Sequence, residues 1–392
     1  MRAVTKRLGD IATVFNGKTP SKAEQRDVGF PVLKIKDVSE TGQFRGTFAS
    51  FVDESLANKH SARWVHSGDT LILNAAHNAD YVASKMFFAG DDVAGTLPTG
   101  EWLLVRSHTS EVMPEYLHYW LRSAGAKKAV RFLVKGIHLY PKDVAELSVP
   151  WFSLPEQRRI VDVLSRAEGI VRLRREAEKK AAELIPALFI DMFGDPATNP
   201  KGWPVKSLGE LCIRITDGTH QPPKFDESGI PFIFISNIVR GELSLDTTKF
   251  ISDDTYEELT RRCPIELGDV LYSTVGSYGV PVKVDTQERF SFQRHIAHIK
   301  PQRDKLDSDF LVGMLYTPAL KAQADLAARG IAQKTVNLGE IRKYRVVSPP
   351  LEEQQRFASR AVTARSIQSQ QSAATAKAQA TFDALLAQVF QG

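Results

Sequence analysis

Leu154-Pro155-Glu156-Gln157-Arg158-Arg159-Ile160 opens a long run of helical sequence that continues to Phe193. Leu351-Glu352-Glu353-Gln354-Gln355-Arg356-Phe357 opens a second run that ends at Phe390. Pro155 suits a first helical turn, where its missing N–H leaves no bond unmade. Behind it, apolar or small residues recur at Ile160, Val163, Ala167, Ile170, Ala177, Ala181, Leu184 and Leu188. The steps are three and four, with one step of seven across Arg174. That alternation describes a coiled-coil seam. The second run repeats it through Phe357, Ala361, Ala364, Ala378, Phe382, Leu385 and Val389, with Gln368, Gln371 and Thr375 at middle seam positions. A helix over the 39 residues from Pro155 to Phe193 reaches roughly 58 Å at ~1.5 Å per residue, the length of a spacer. Pro186 is expected to kink or break it near its end.

Working outward from these runs, the rest of the chain reads as a repeat. Lys6-Arg7-Leu8-Gly9-Asp10-Ile11 returns as Lys206-Ser207-Leu208-Gly209-Glu210-Leu211, a shift of 200 residues. Gly29-Phe30-Pro31-Val32-Leu33-Lys34-Ile35 and Gly68-Asp69-Thr70-Leu71 return at the same shift, as Gly229 to Ile235 and Gly268 to Leu271. Glu115-Tyr116-Leu117 matches Asp309-Phe310-Leu311, and Gly136-Ile137 matches Gly330-Ile331, both at a shift of 194. The helix openings match at 197. Blocks in one order at nearly constant spacing mark a tandem duplication. Each half holds a globular body of about 150 residues and a long helix.

Within each body, Pro31 to Ile35, Thr70 to Leu73 and their copies read as short buried strands behind turn residues. Phe290-Ser291-Phe292 and His295 to Ile299 are strand-like, and Tyr116 to Leu121 and Phe310 to Leu315 have helical spacing. The absence of a βαβαβ succession makes each body α+β with mostly antiparallel strands. Gly194-Asp195-Pro196-Ala197-Thr198-Asn199-Pro200-Lys201-Gly202 reads as the linker between halves.

The composition, 43% hydrophobic and 25% charged, is that of an ordinary globular chain. A net charge of +5 permits an anionic partner without demanding one. Two distant cysteines, Cys212 and Cys263, give no disulfide framework and fit a reducing compartment. With no signal-peptide pattern and no apolar run of membrane length, a cytoplasmic location is expected.

Three motifs suggest chemistry, and each has a plainer explanation. Ala12-Thr13-Val14-Phe15-Asn16-Gly17-Lys18-Thr19 loosely fits a phosphate-binding loop. Its arch, however, holds Val14 and Phe15, Pro20 follows at once, and the copy at Asp217-Gly218-Thr219-His220 lacks the lysine. Ser348-Pro349-Pro350-Leu351 is similar to the tetrapeptide of amino-methyltransferases, yet places leucine where an aromatic must stack on a flipped base. His295 and His298 lack a third ligand at useful spacing, so strand alternation explains them and no metal site is assigned. A single-chain enzyme using nucleotide or S-adenosylmethionine chemistry through Lys18 or Ser348–Leu351 is the alternative reading. No catalytic residue and no cofactor are assigned.

What remains are polar loops that differ between copies while the frame matches. In the first copy they contain Lys18, Thr19, Ser21 and Lys22, then Asn74, His77 and Asn78, then Lys135, His138 and Tyr140. Their counterparts contain Thr219, His220, Gln221 and Lys224, then Ser273, Thr274, Ser277 and Tyr278, then Arg329, Gln333 and Lys334. Lysine and arginine suit phosphates, while amides, hydroxyls and imidazoles read base edges. These residues are the candidate DNA contacts.

The Leu-Gly-Asp/Glu opening, Gly17-x-Thr19-Pro20, the Gly-x-Pro strand, Gly-Asp-x-Leu and Leu-x-Glu-Gln before each helix together resemble the specificity subunit of type I restriction–modification systems. The resemblance covers nearly the whole chain, twice over. It implies target-recognition domains at residues 1–150 and 197–347, each reading half of a bipartite site in double-stranded DNA. Residues 151–196 and 348–392 would then be spacer helices, with a linker, forming an antiparallel coiled coil. It further implies two methyltransferase subunits docked on those helices, with Arg158, Arg159, Arg172 and Arg175 as polar contacts, and restriction subunits in the full complex. No chemistry by the chain itself and no membrane partner are implied.

Overall fold

The structure, a computed structural model, describes residues 4–75, 77–330 and 333–390. Ala76, Ile331 and Ala332, which belong to the expected DNA-contacting loops, lie outside the described residues. The chain gathers into two compact units, Met1–Arg175 with Ala374–Gly392, and Glu176–Ala373. Each unit thus takes a globular body, one end of the first helical run and the opposite end of the second.

In the first unit a four-stranded antiparallel sheet runs in the order Ala12–Asn16, Trp102–Ser107, Thr70–Leu73, Met86–Phe88. Val14 and Thr70 flank Val105 on either side. The whole of Thr70–Leu73 is buried because both faces of the sheet are covered. Ile72, Leu103 and Val105 face a core shared with the helices. Leu71, Trp102 and Leu104 face a second core that includes Leu33, Val38 and Phe87. A three-stranded sheet joins Phe51–Val52 antiparallel to Phe30–Leu33, and Phe30–Leu33 parallel to Leu97–Pro98. Thr5–Arg7 pairs antiparallel with Ser148–Pro150, where the body hands over to the helix.

The second unit repeats this plan. Its four-stranded sheet runs Cys212–Asp217, Ile296–Pro301, Val270–Ser273, Pro281–Lys283, with Ile215 and Val270 flanking Ile299. Its three-stranded sheet joins Phe250–Ile251, Ile230–Ile233 and Ser291–Phe292, the last two in parallel. Fold class and duplication agree with the sequence, including the mostly antiparallel pairing.

The Gly-Asp-x-Leu motif has a structural cause. Asp69 accepts two bonds from Arg106, at 2.8 and 2.6 Å, and one from the His66 amide at 2.8 Å. Asp269 does the same with Lys300 at 3.0 Å and the Glu266 amide at 2.9 Å. In each copy a carboxylate buried under the sheet is neutralised by a cation from the neighbouring strand.

The helices are Leu154–Ala182, Leu184–Phe193 and the 40-residue Leu351–Phe390. The first run breaks at Glu183, three residues before Pro186, as a missing N–H and a ring clash with the preceding turn require. The Glu183 amide falls back on Lys180 O at 3.1 Å, and the Ala181 carbonyl accepts Gln368 Nε2 at 3.0 Å. Both pairings are local to the second unit, where Arg360 also approaches Asp191 at 3.9 Å. As the second helix advances from Arg360 to Gln368 its partner recedes from Asp191 to Ala181, so the two run antiparallel.

The seam differs from the one read in the sequence. Ile160 and Ala181 are buried, but Val163, Ile170 and Leu184 are exposed, and Leu164, Val171, Ile185 and Phe189 are buried instead. The helix packs on a globular body as well as on another helix, and that third surface turns the buried stripe by about one residue, roughly 100°. In the first unit Leu164 and Val171 share a core with Tyr116, Tyr119, Phe382, Leu386 and Phe390. In the second unit Phe189, Phe193, Phe310 and Phe357 form an aromatic cluster with centroids 4.9–6.3 Å apart. On the second helix Phe357, Ala361, Ala364 and Phe382 are buried as read. Among the described residues no helix is long and apolar enough to cross a membrane.

Candidate functional site

The candidate loops of the first unit meet at Asn74, which follows the strand Thr70–Leu73 and is 3% exposed. Its side-chain amide donates to Asn16 Oδ1 at 2.9 Å and to Gly100 O at 3.1 Å. Its backbone N–H donates to Glu101 O at 2.8 Å, and its carbonyl accepts the Leu139 N–H at 2.8 Å. One residue therefore ties together the loop after Asn16, the Thr99–Glu101 turn and the loop before Pro141. Thr274 makes the same backbone joint in the second unit, donating to His295 O at 3.0 Å and accepting from Val336 at 2.9 Å. Asn74, Ser273 and Thr274 are buried and belong to the frame of the site. Ser273 Oγ is held between the Ser277 carbonyl and the Val280 amide, at 2.7 and 2.9 Å.

Close approach of the first loop needs glycine. A Cβ on Gly17 would lie 2.2 Å from Thr99 O, and one on Gly218 would lie 2.0 Å from Phe292 O, well inside contact distance. The amides of Gly17 and Lys18 are spent on Trp102 O at 2.9 Å and Pro98 O at 2.8 Å. They do not form a phosphate cradle, and only the short turn Lys22–Glu24 follows. Ser348-Pro349-Pro350 leads straight into a helix, with Pro349 O and Pro350 O accepting from Gln354 and Glu353.

On this frame Lys18, Thr19, Ser21, Lys22, His77, Asn78, Lys135, His138 and Tyr140 are exposed. Several also hold the loops in shape. Thr19 Oγ1 accepts from Gly100 N at 2.8 Å, Asn78 Oδ1 accepts from Asp80 N at 3.0 Å, and Lys135 pairs with Asp143 at 2.6 Å. In the second unit His220, Gln221, Lys224, Ser277, Arg329, Gln333 and Lys334 are exposed, with Thr219 half-buried. His220 pairs with Asp217 at 3.0 Å, and Tyr278 donates to Asp325 at 2.7 Å. Charge on both surfaces is mixed, with Asp143, Asp217 and Asp325 among the loop cations.

Of the four arginines expected to contact partners, Arg159 pairs with Glu156 at 2.6 Å and Arg175 donates to Gln379 at 2.8 Å. Arg158 and Arg172 are exposed. Val163 and Ile170, seam positions by their spacing, are exposed on the same helix, and so is Leu173, which that spacing did not single out.

The sequence reading also missed the work of the two glutamines in the Leu-x-Glu-Gln openings. Gln157 is fully buried; its Oε1 accepts from Met113 N at 2.9 Å, and its Nε2 donates to Glu111 O at 3.0 Å and Phe152 O at 2.9 Å. Gln354 repeats all three bonds with Asp307 N, Lys305 O and Pro349 O, at 2.8, 3.0 and 2.8 Å. The clamp fixes each helix to the body that carries its loops. His298, considered above as half of a metal site, is a buried strand residue bonded to Asp269 and Cys263. No cluster with the make-up of a metal site occurs among the described residues.

Comparison with known proteins follows this two-fold plan. The family described as Type I restriction modification DNA specificity domain matches residues 3–183 and again 200–361. The chain is 24% identical over 276 residues to the type I restriction enzyme MjaIX specificity subunit of Methanocaldococcus jannaschii, spanning 63% of this chain and 60% of that relative. It is 27% identical over 418 residues to the type I restriction enzyme EcoBI specificity subunit of Escherichia coli, spanning 98% and 85%. A solved structure described as the basis of complex assembly and conformational transition of the type I R-M system superposes with a TM-score of 0.56. It has 20% identity and covers 100% of this chain and 98% of that one. The type I restriction–modification S subunit from M. genitalium gives 0.51 at 12% identity, covering 98% and 95%, a likeness of fold. With both halves of the duplication matched, the chain belongs to the type I restriction–modification DNA specificity family, as a specificity subunit whose part is recognition.

Proposed function

We propose that residues 1–150 and 197–347 each read one half of a bipartite DNA site, and that residues 151–196 and 348–392 carry the methyltransferase subunits. The observation that carries this reading is the joint at Asn74 and Thr274. The same backbone bonds hold loops of unrelated sequence in both units, as expected of one reader used on two half-sites. Lys18, Lys22 and Lys135, and Lys224, Arg329 and Lys334, contact phosphates, while the neighbouring histidines, amides and hydroxyls meet base edges. Asn74, Ser273 and Thr274 act by positioning the others.

On the helices Ile170 and Ile367 occupy equivalent positions, 197 residues apart, and both are exposed. Val163 and Leu173 extend the first patch, while Val362, also exposed, lies five residues before Ile367 and about 140° round the helix from it. Such side chains gain by burial against a partner, at about 25 cal/mol per Å². Exposed Arg158 and Arg172, with Arg159 and Arg175 beside them, provide a polar rim. One methyltransferase subunit per patch accounts for the repetition, and restriction subunits join through that complex.

The test is the salt dependence of DNA binding by the assembled complex, together with methylation mapping in host DNA with the gene present and deleted. Neutralising ~6 phosphates gives log affinity against log salt a slope of about −5. Deletion removes one bipartite methylated motif. A flat salt response, or unchanged methylation, contradicts the reading.

A further inference from the structure

We propose that Cys263 is a reactive thiolate that forms mixed disulfides with low-molecular-weight disulfides, assisted by His298 and Asp269. Cys263 Sγ lies 3.5 Å from His298 Nδ1, and the opposite ring nitrogen, Nε2, lies 2.6 Å from Asp269 Oδ2. A thiol, an imidazole and a carboxylate therefore stand in line, with the imidazole oriented by the carboxylate as nucleophile activation requires. Cys263 is half-buried on the segment between the helix Asp253–Thr260 and the strand Val270–Ser273, while His298 and Asp269 are buried beneath it. The thiol thus sits at the outer, half-buried end of the line.

The duplicated unit is an internal control. Arg63, Leu104 and Asp69 occupy the places of Cys263, His298 and Asp269. The frame bond is present in both units: Arg106 to Asp69 at 2.6 Å, and Lys300 to Asp269 at 3.0 Å. Even the secondary acceptor is shared, Trp64 O in one unit and Pro264 O in the other. Holding the sheet therefore needs only the carboxylate and its cation. The thiol and imidazole are additions to a finished joint, so a purely structural role does not account for them.

The electrostatics agree. Burial raises the Cys263 thiol, but the His298 hydrogen bond and the charges of His298, Lys300 and Arg214 outweigh it and hold the thiol below its ordinary range. Burial lowers His298, but its bonds to Asp269 and Cys263 raise it on balance. Glu266, 3.1 Å from Lys300 and 3.8 Å from Arg303, and Arg262, the chain neighbour of Cys263, add further charge near the line. Cys212 lies in an apolar core, where burial pushes its thiol up to about 12. In the reaction the Cys263 sulfur attacks one sulfur of the disulfide. A new S–S bond forms as the old one breaks, and the departing thiolate carries away the electron pair. The imidazolium is available to protonate it.

The experiment treats the full chain with bis(carboxynitrophenyl) disulfide and follows release of the coloured thiolate. One equivalent is released rapidly by the native protein and by Cys212→Ser, and not by Cys263→Ser; the second appears only on unfolding. Near pH 7 the native Cys263 reacts about tenfold faster than in the urea-unfolded chain, where a thiol of ordinary pKa is only a few per cent ionised. His298→Gln shifts the midpoint of the rate–pH profile upward. Should that variant fail to fold, the thiolate ultraviolet band, titrated as the difference between the unsubstituted chain and Cys263→Ser, gives the midpoint directly. Reaction of both thiols only on unfolding, a fast phase belonging to Cys212, or a Cys263 midpoint at or above the ordinary thiol value overturns the proposal.

Discussion

Gln157 and Gln354, both buried, each spend a whole side-chain amide on three backbone groups. Replacing Gln157 with leucine strips one N–H and two carbonyls at a half-buried joint of these partners, and such groups cost about 1–3 kcal/mol each where water does not replace the lost bond. We expect Gln157→Leu to destabilise the first unit by about 3 kcal/mol in chemical denaturation; a loss under about 0.5 kcal/mol would show that water replaces the clamp. Lys18 is a different kind of residue, exposed at the tip of a loop pinned by Gly17. As a phosphate contact, Lys18→Ala weakens DNA binding by a similar factor for all sequences and lowers the magnitude of the salt slope by about 1. Measured affinities that fall for the specific site alone would make Lys18 a base reader instead.

The broken helix is mended by its neighbour. Gln368 Nε2 bonds the Ala181 carbonyl in the turn that Pro186 opens, so Gln368→Ala is expected to cost about 1 kcal/mol. In a Pro186→Ala background the turn closes on itself and that cost shrinks, a coupling that a double-mutant cycle reads. Equal costs in both backgrounds would separate the glutamine from the proline. This break was legible, because a proline acts on its own turn whatever surrounds it. So were the short strands and the duplication, which are local patterns repeated in order. The buried stripe was not, since Val163 and Ile170 have seam spacing and only the globular body selects Leu164 and Val171 in their place. The clamp was invisible for a related reason: Gln157 bonds Met113, 44 residues away, and nothing in a local pattern reports such a partner.

The candidate site was legible as a set of loops but not as a division of labour within them. Asn74 looked like a base reader by residue type, and its burial makes it the joint on which the other loops hang. The duplication that revealed the loops also supplies the most direct test of independent reading by the two bodies. Tyr116 and Tyr119 pack against Phe390 and Phe382, at 5.5 and 6.3 Å between ring centroids. An exchanged first body must therefore keep residues that fit this helix end, or bring residues 374–392 with it. The measurement is the methylated motif in host DNA after residues 1–150 are exchanged for the corresponding body of a relative with a different specificity. Independent reading predicts that one half of the motif changes to the relative's and the other half is retained. A folded, active exchange in which both halves change together would contradict it.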